Sequence, residues 1–89
     1  MDIKLENFEK TFTGWKILFK VNLTNNESSN CNLDLIEHIG DYNINKSGTI
    51  MFFDFNFDKG ELKDDEKIEE RLKLIEKDIE SIVNRCIGL

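Results

Sequence analysis

The sequence lacks most of the features that would identify a function directly. No apolar run approaches the roughly 20 residues of a membrane span, and the N-terminal MDIKLENFEK has no apolar core of the kind found in a secretory signal. There is no glycine-rich phosphate loop, no Cys-x-x-Cys pair and no His-x-x-x-His spacing. We therefore expect a soluble, cytoplasmic chain that uses no cofactor and contacts no membrane.

Basic residues are outnumbered by acidic ones, and cysteines are few. Twelve Lys and Arg stand against 18 Asp and Glu, a net charge of −6, and nucleic-acid affinity comes largely from cationic side chains. Direct nucleic-acid binding is therefore not expected. The two cysteines, Cys31 and Cys86, both fall on predicted core-facing positions, which favours buried reduced thiols. A disulfide between them is the alternative, and nothing in their spacing requires it.

Three segments alternate apolar and polar residues as half-buried strands do. The clearest is Trp15 to Leu23, and Met51 to Asp58 is equally regular. Cys31, Leu33 and Leu35 alternate with Asn32, Asp34 and Ile36 and predict a weaker strand that ends near Gly40, and the segment 41–45 predicts a further short one. TNNESSN, residues 24–30, has turn-forming composition and is predicted to be a loop. Short connections favour antiparallel pairing.

A long C-terminal amphipathic helix is predicted from Asp65 to Ile87, about 34 Å at 1.5 Å per residue. Its apolar residues recur every three or four positions along one stripe, and Asp64 or Asp65 is expected to cap its first turn. Residues 1–13 fit a strand better than a helix. The expected fold is a single α+β domain over residues 1–89, with a three- to four-stranded antiparallel sheet packed against this helix, in the order β-β-β-β-α. The alternative is α-β-β-β-α.

Two surfaces are candidates for binding a partner protein. Four strands make a sheet near 19 Å wide, whereas one helix covers only about 10 to 12 Å. Part of the sheet should remain uncovered, and its outer face is not cleanly polar, which is typical of an interaction surface. The acidic side of the helix is the second candidate. The predicted partner-binding residues are Leu18, Ile36, Phe52 and Asp54 on the sheet, and Glu66, Glu69, Glu70 and Glu76 on the helix.

Catalytic and metal-binding patterns are weak. Asp54, Asn56 and Asp58, followed by Gly60, resemble the calcium loop of EF-hand proteins, but the glycine comes one position late and the intervening phenylalanines indicate a strand. His38 is the only histidine, and no nucleophile accompanies it in a known motif. We therefore expect no enzyme activity and no metal site.

These features favour a small acidic inhibitor of a basic, nucleic-acid-handling protein, such as a nuclease or a CRISPR effector. In size and charge the chain is similar in general character to small acidic phage anti-defence proteins, although no motif identifies a family. The alternative is a self-associating structural or accessory subunit, for which a homodimer is the simplest form.

Overall fold

The computed structural model describes residues 1–36, 42–62 and 66–88. It consists of four strands, two α-helices and two short 3-10 helices. In chain order these are β1 (Asp2–Lys10), β2 (Gly14–Asn22), α1 (Asn25–Asn30), a 3-10 helix (Leu33–Leu35), β3 (Asn43–Ser47), β4 (Ile50–Asp58), a second 3-10 helix (Lys59–Glu61) and α2 (Ile68–Cys86). The α+β class and the strand assignment of the N-terminal residues are confirmed.

The four strands form one antiparallel sheet in the order β1-β2-β4-β3. β2 and β4 pair without a register shift from Gly14 opposite Asp58 to Asn22 opposite Ile50. β1 pairs with β2 through a bulge, since Leu5 and Asn7 face consecutive residues of β2 and Glu6 is the extra residue. The sheet therefore has two edges, the nine-residue β1 and the five-residue β3.

The helix α2 packs against the middle of the sheet. The residues that alternate inward on β2 and β4 are buried together with the apolar stripe of α2. The most completely buried of these side chains are Ile17, Val21, Met51, Phe53, Ile79 and Val83. We call the side of the sheet that carries α2 the helix-side face and the opposite side the outer face. No described helix is long and apolar enough to cross a membrane.

The segment 24–36 differs from the prediction. Residues 25–30 form α1 instead of a loop, because Thr24 and Glu27 make a reciprocal capping box: the Thr24 hydroxyl accepts from the Glu27 backbone N–H, and the Glu27 carboxylate accepts from the Thr24 N–H. The strand predicted to begin at Cys31 is also wrong over residues 31–36, and the rest of its predicted range lies outside the described residues. Leu33–Leu35 is a 3-10 helix whose start is capped by the Asn32 side chain.

The start of α2 also differs from the prediction. The helix begins at Ile68, with Lys67 as its N-cap and no side-chain cap, and it ends at Cys86. Asp64 and Asp65, the predicted caps, lie outside the described residues. The observed helix has 19 residues and is therefore shorter than predicted at its N-terminal end.

Cys31 and Cys86 form a disulfide, so the prediction of two reduced thiols is wrong. The bridge joins the segment after α1 to the last turn of α2. The two Cα atoms are 4.8 Å apart, and the two cysteines are 55 positions apart in sequence. The backbone N–H of Asn32 donates to the Cys86 carbonyl at 2.8 Å beside it. This end of α2 is thus held by one covalent bond and one hydrogen bond.

Candidate partner-binding surfaces

Three of the predicted sheet residues lie together on the outer face. Leu18 on β2 is directly opposite Asp54 on β4, and Phe52 is two residues before Asp54 on the same face because side chains alternate along a strand. Asn43 and Asn45 of β3 complete the rim of a shallow depression of about 350 Å³. We call Leu18, Phe52 and Asp54 the outer patch.

Ile36 does not belong to this surface. Its side chain is 1% exposed and is part of the core. It follows the 3-10 helix Leu33–Leu35, and its backbone N–H donates to the Leu33 carbonyl at 3.0 Å. The prediction assigned it to a strand with an exposed face, and the helical turn that replaces that strand directs the side chain inward instead. Ile36 is therefore unavailable to a partner.

The charge of Glu66 is already engaged within the chain. Glu66 lies just before α2, and Arg71 donates to its two carboxylate oxygens at 2.6 and 3.1 Å. The guanidinium also lies over the Phe57 ring, 5.3 Å from its centroid. The hydrogen bond with Glu66 is the main cause that raises the pKa of Arg71. This pair ties the start of α2 to β4, and its carboxylate contributes little to attracting a basic protein.

The remaining predicted helix residues lie on two different sides of α2. At 3.6 residues per turn, Glu69 and Glu76 fall on one flank of the buried stripe together with Glu80, whereas Glu70 lies on the back of the helix, nearly opposite the stripe. Glu69, Glu70, Glu76 and Glu80 are all exposed. We call Glu69, Glu76 and Glu80 the acidic flank.

The contacts of the opposite flank show which way the acidic flank faces. Asp78 accepts a hydrogen bond from the Tyr42 hydroxyl at 2.9 Å, and Tyr42 immediately precedes the edge strand β3. Arg71, on the same flank as Asp78, lies over Phe57. That side of α2 therefore faces the β3 edge of the sheet, and the acidic flank faces the β1 edge.

An apolar strip on β1 was not predicted. The register places Ile3, Leu5 and Phe8 opposite Val21, Phe19 and Ile17 on the helix-side face. Their partners on β2 are buried, yet Leu5 is 43% and Phe8 39% exposed. Phe8 stacks on the Trp15 ring, with centroids 6.4 Å apart and an interplanar angle of 13°. We call Ile3, Leu5 and Phe8 the β1 strip.

The β1 strip exists because α2 covers the two central strands and stops short of the edge. The comparison of sheet width with helix diameter predicts uncovered area of this kind, but its location follows from the strand order. The period-two spacing of Ile3 and Leu5 was the available sequence signal, and the bulge at Glu6 breaks it before Phe8. The strip and the acidic flank border the same uncovered part of the helix-side face.

A second cleft, of about 510 Å³, lies on the other side of α2. Phe55 and Phe57 line it together with Tyr42, and Leu74 stands exposed at its rim. Tyr42 packs edge-on against Phe55, with ring centroids 4.8 Å apart. Polar side chains line this cleft together with the aromatic rings: Arg71 donates to Glu66, the Tyr42 hydroxyl donates to Asp78, and Asn56 and Glu61 complete the polar part.

The residues that resemble a calcium loop lie on a strand. Asp54, Asn56 and Asp58 are consecutive exposed positions of β4, so their Cα atoms are spaced by about 6.6 Å and do not wrap around a common point. The Asp58 side chain instead caps the following 3-10 helix, with Glu61 completing a capping box. Within the described ranges no three His, Cys, Asp or Glu side chains are grouped as metal ligands. His38 lies outside these ranges.

Comparison with known proteins adds no functional information: no protein-family model, curated protein or solved structure matches the chain.

Proposed function

We propose that this chain is a small non-catalytic protein that binds a basic, nucleic-acid-handling protein and inhibits it. The observation that carries the proposal is the position of the β1 strip beside the acidic flank of α2. The strip offers apolar area that a partner can remove from water. The flank offers negative charge that attracts a basic surface and sets its orientation.

The overall charge supports the same partner class. A chain of net charge −6 repels a phosphate backbone and attracts the cationic surface that binds it. Exposed lysines interleave with the acidic residues of α2, and Lys73 lies on the flank facing β1, one turn from both Glu69 and Glu76. The three acids Glu69, Glu76 and Glu80 still leave this flank net negative beside a strip with little charge. Binding there would place the acids against the partner's nucleic-acid-binding residues and exclude its substrate.

The proposal also assigns the protein to the cytoplasm, where such a partner acts. The Cys31–Cys86 disulfide is the observation that argues against this location, because disulfides persist in oxidising compartments and are rare in the cytosol. Alkylation of free thiols during cell lysis, followed by mass spectrometry, measures the fraction of oxidised protein. If most of the protein is oxidised, the cytoplasmic location is wrong, whereas the proposed class of partner is unaffected.

One observation favours the alternative function, a self-associating structural or accessory subunit. It is the open edge of β1, nine residues long and exposed over most of its length.

The test is affinity capture with matched charge variants. Glu76→Lys changes the acidic flank, and Glu70→Lys makes the same change on the far side of α2. We expect the wild-type chain and Glu70→Lys to retain the same basic, nucleic-acid-handling protein at 150 mM salt, and Glu76→Lys to lose it. The captured protein is then purified, and its nucleic-acid binding or cleavage is measured against increasing amounts of the chain.

Inhibition should be complete near one chain per partner. The proposal is wrong if every captured protein binds both variants equally. It is also wrong if a captured nucleic-acid-handling protein keeps its full activity when saturated with the wild-type chain.

A further inference from the structure

The outer edge of β1 is open. β1 is the terminal strand of the sheet, and none of the described strands pairs with its free side. It spans Asp2–Lys10, almost twice the length of the other edge strand, and contains no proline. A long exposed edge of unpaired N–H and C=O groups is a template for another strand.

The bulge at Glu6 restricts which strand can pair with this edge. In a regular strand, residues an odd number of positions apart point to opposite faces. The extra residue reverses this relation across the bulge, so Leu5 and Phe8 share the helix-side face, whereas Lys4 and Glu9 share the outer face. A strand pairing along the whole edge must follow the same interrupted alternation.

A second copy of β1 meets this requirement. An antiparallel copy related by a two-fold axis perpendicular to the sheet keeps its helix-side face on the same side. When the axis passes between Glu6 and Asn7, the two bulges lie opposite each other. Leu5 then faces Phe8 of the second copy, and Lys4 faces Glu9 of the second copy. By symmetry each pair forms twice, so the interface contains two apolar pairs and two pairs of opposite charge.

We propose that β1 pairs with β1 of a second copy in this register and joins two sheets into one of eight strands. Within the monomer Lys4 lies opposite Lys20, a like-charge position that is unfavourable, and its neighbouring carboxylate is the exposed Asp2 at 3.6 Å. Glu9 of the second copy places a carboxylate on the open side of Lys4. The apolar pair covers Leu5 and Phe8, which are 43% and 39% exposed in the single chain.

This dimer is independent of the proposed inhibitory function. It leaves the outer patch open, and it joins the two β1 strips into one continuous apolar surface between the two acidic flanks. A heterologous partner binding there would contact apolar residues of both copies. Failure of the dimer would leave the capture experiment with Glu76→Lys unaffected, so the two proposals are tested separately.

A charge exchange tests the register. Sedimentation equilibrium gives the dimer dissociation constant of the wild-type chain, of Lys4→Glu, of Glu9→Lys and of the double variant. Each single variant replaces two pairs of opposite charge by two of like charge, so its dissociation constant should rise at least about tenfold. The double variant restores both pairs and should return to within about threefold of wild type. Lys46→Glu, the same change on the opposite edge strand, should leave dimerisation unaltered.

Cross-linking provides a second measurement that uses only the wild-type chain, so it does not depend on whether any variant folds. Lys4 and Glu9 are five positions apart on one strand, about 16 Å, which a zero-length carbodiimide bond cannot span. A cross-link between them must therefore join two copies, and mixing 15N-labelled with unlabelled protein identifies it by mass. We expect this Lys4–Glu9 cross-link. A monomeric wild-type chain at several hundred micromolar, or a dimer that the charge exchange does not restore, would overturn the proposal.

Discussion

Breaking the disulfide should cost this chain a large share of its stability. The bridge joins residues 55 positions apart, and closing a loop of that length lowers the entropy of the unfolded chain enough to contribute about 4 kcal/mol. A domain of this size has a free energy of unfolding on the order of 5 to 15 kcal/mol. Because the loss is smaller than the total, the variant Cys31→Ser should remain folded at 25 °C, but with a reduced margin.

Thermal unfolding measures the effect directly. For a domain of 60 to 100 residues, each kcal/mol shifts Tm by about 4 to 8 °C, so Cys31→Ser should unfold roughly 15 to 30 °C below the oxidised wild type. Wild type treated with a reductant should lose a similar amount. Cys31 is the better residue to replace, because it is half-buried whereas Cys86 is fully buried in the core and its removal would also leave a cavity.

The control is Cys31→Ser with and without reductant, which should show no further change. A Tm of oxidised wild type within about 5 °C of the variant would refute the assignment of stability to loop closure. Two titratable thiols in the denatured, unreduced protein would refute the bridge itself.

Two further predictions concern the close packing of Gly14 against the backbone of β4 and the protonation of the Glu27 carboxylate, which caps α1. Gly14→Ala should lower the free energy of unfolding, measured in urea, by about 2 kcal/mol, because the new Cβ would overlap the backbone of β4 and lie 2.9 Å from the Asp58 Cα. Gly60→Ala is the matched control. Gly60 has open space around it, so this change should alter the free energy of unfolding by less than about 0.5 kcal/mol. The pKa of Glu27 is lowered below its ordinary 4.5, chiefly by the backbone hydrogen bond from Thr24. Its contribution is therefore present above pH 4.5 and lost as the pH falls through the lowered value. The Tm difference between wild type and Glu27→Gln should be largest near pH 7 and shrink as the pH falls below 4.5, and a difference independent of pH would contradict this.

The elements that sequence reasoning predicts correctly are those whose periodicity runs over two or more turns or several strand positions. β2, β4 and α2 each present a full apolar face to the core, so burial and pattern agree. β1 is ambiguous in sequence for a physical reason. Its apolar residues remain partly exposed and a bulge interrupts them, so neither a strand period nor a helix period fits the whole segment.

The segment 24–36 was predicted wrongly for two separate reasons. Its asparagines and serines are typical of turns, but Thr24 and Glu27 have the spacing of a capping box, which marks the start of a helix and was available in the sequence. Cys31, Leu33 and Leu35 alternate over too few positions to distinguish a strand from a 3-10 helix. The disulfide with Cys86 fixes this segment against α2, and two cysteines 55 positions apart do not reveal that contact in sequence.

The uncovered strand connects the fold to both proposals. The central strands β2 and β4 are buried on the helix-side face, so a four-stranded sheet with one helix necessarily leaves an edge strand with a partly exposed apolar face. At the β3 edge Tyr42 fills this space and binds Asp78 of α2. At the β1 edge the described residues provide no equivalent of Tyr42. Leu5 and Phe8 therefore stay exposed beside the acidic flank, and both proposals place a second molecule on this surface, either another copy of this chain or the proposed basic partner.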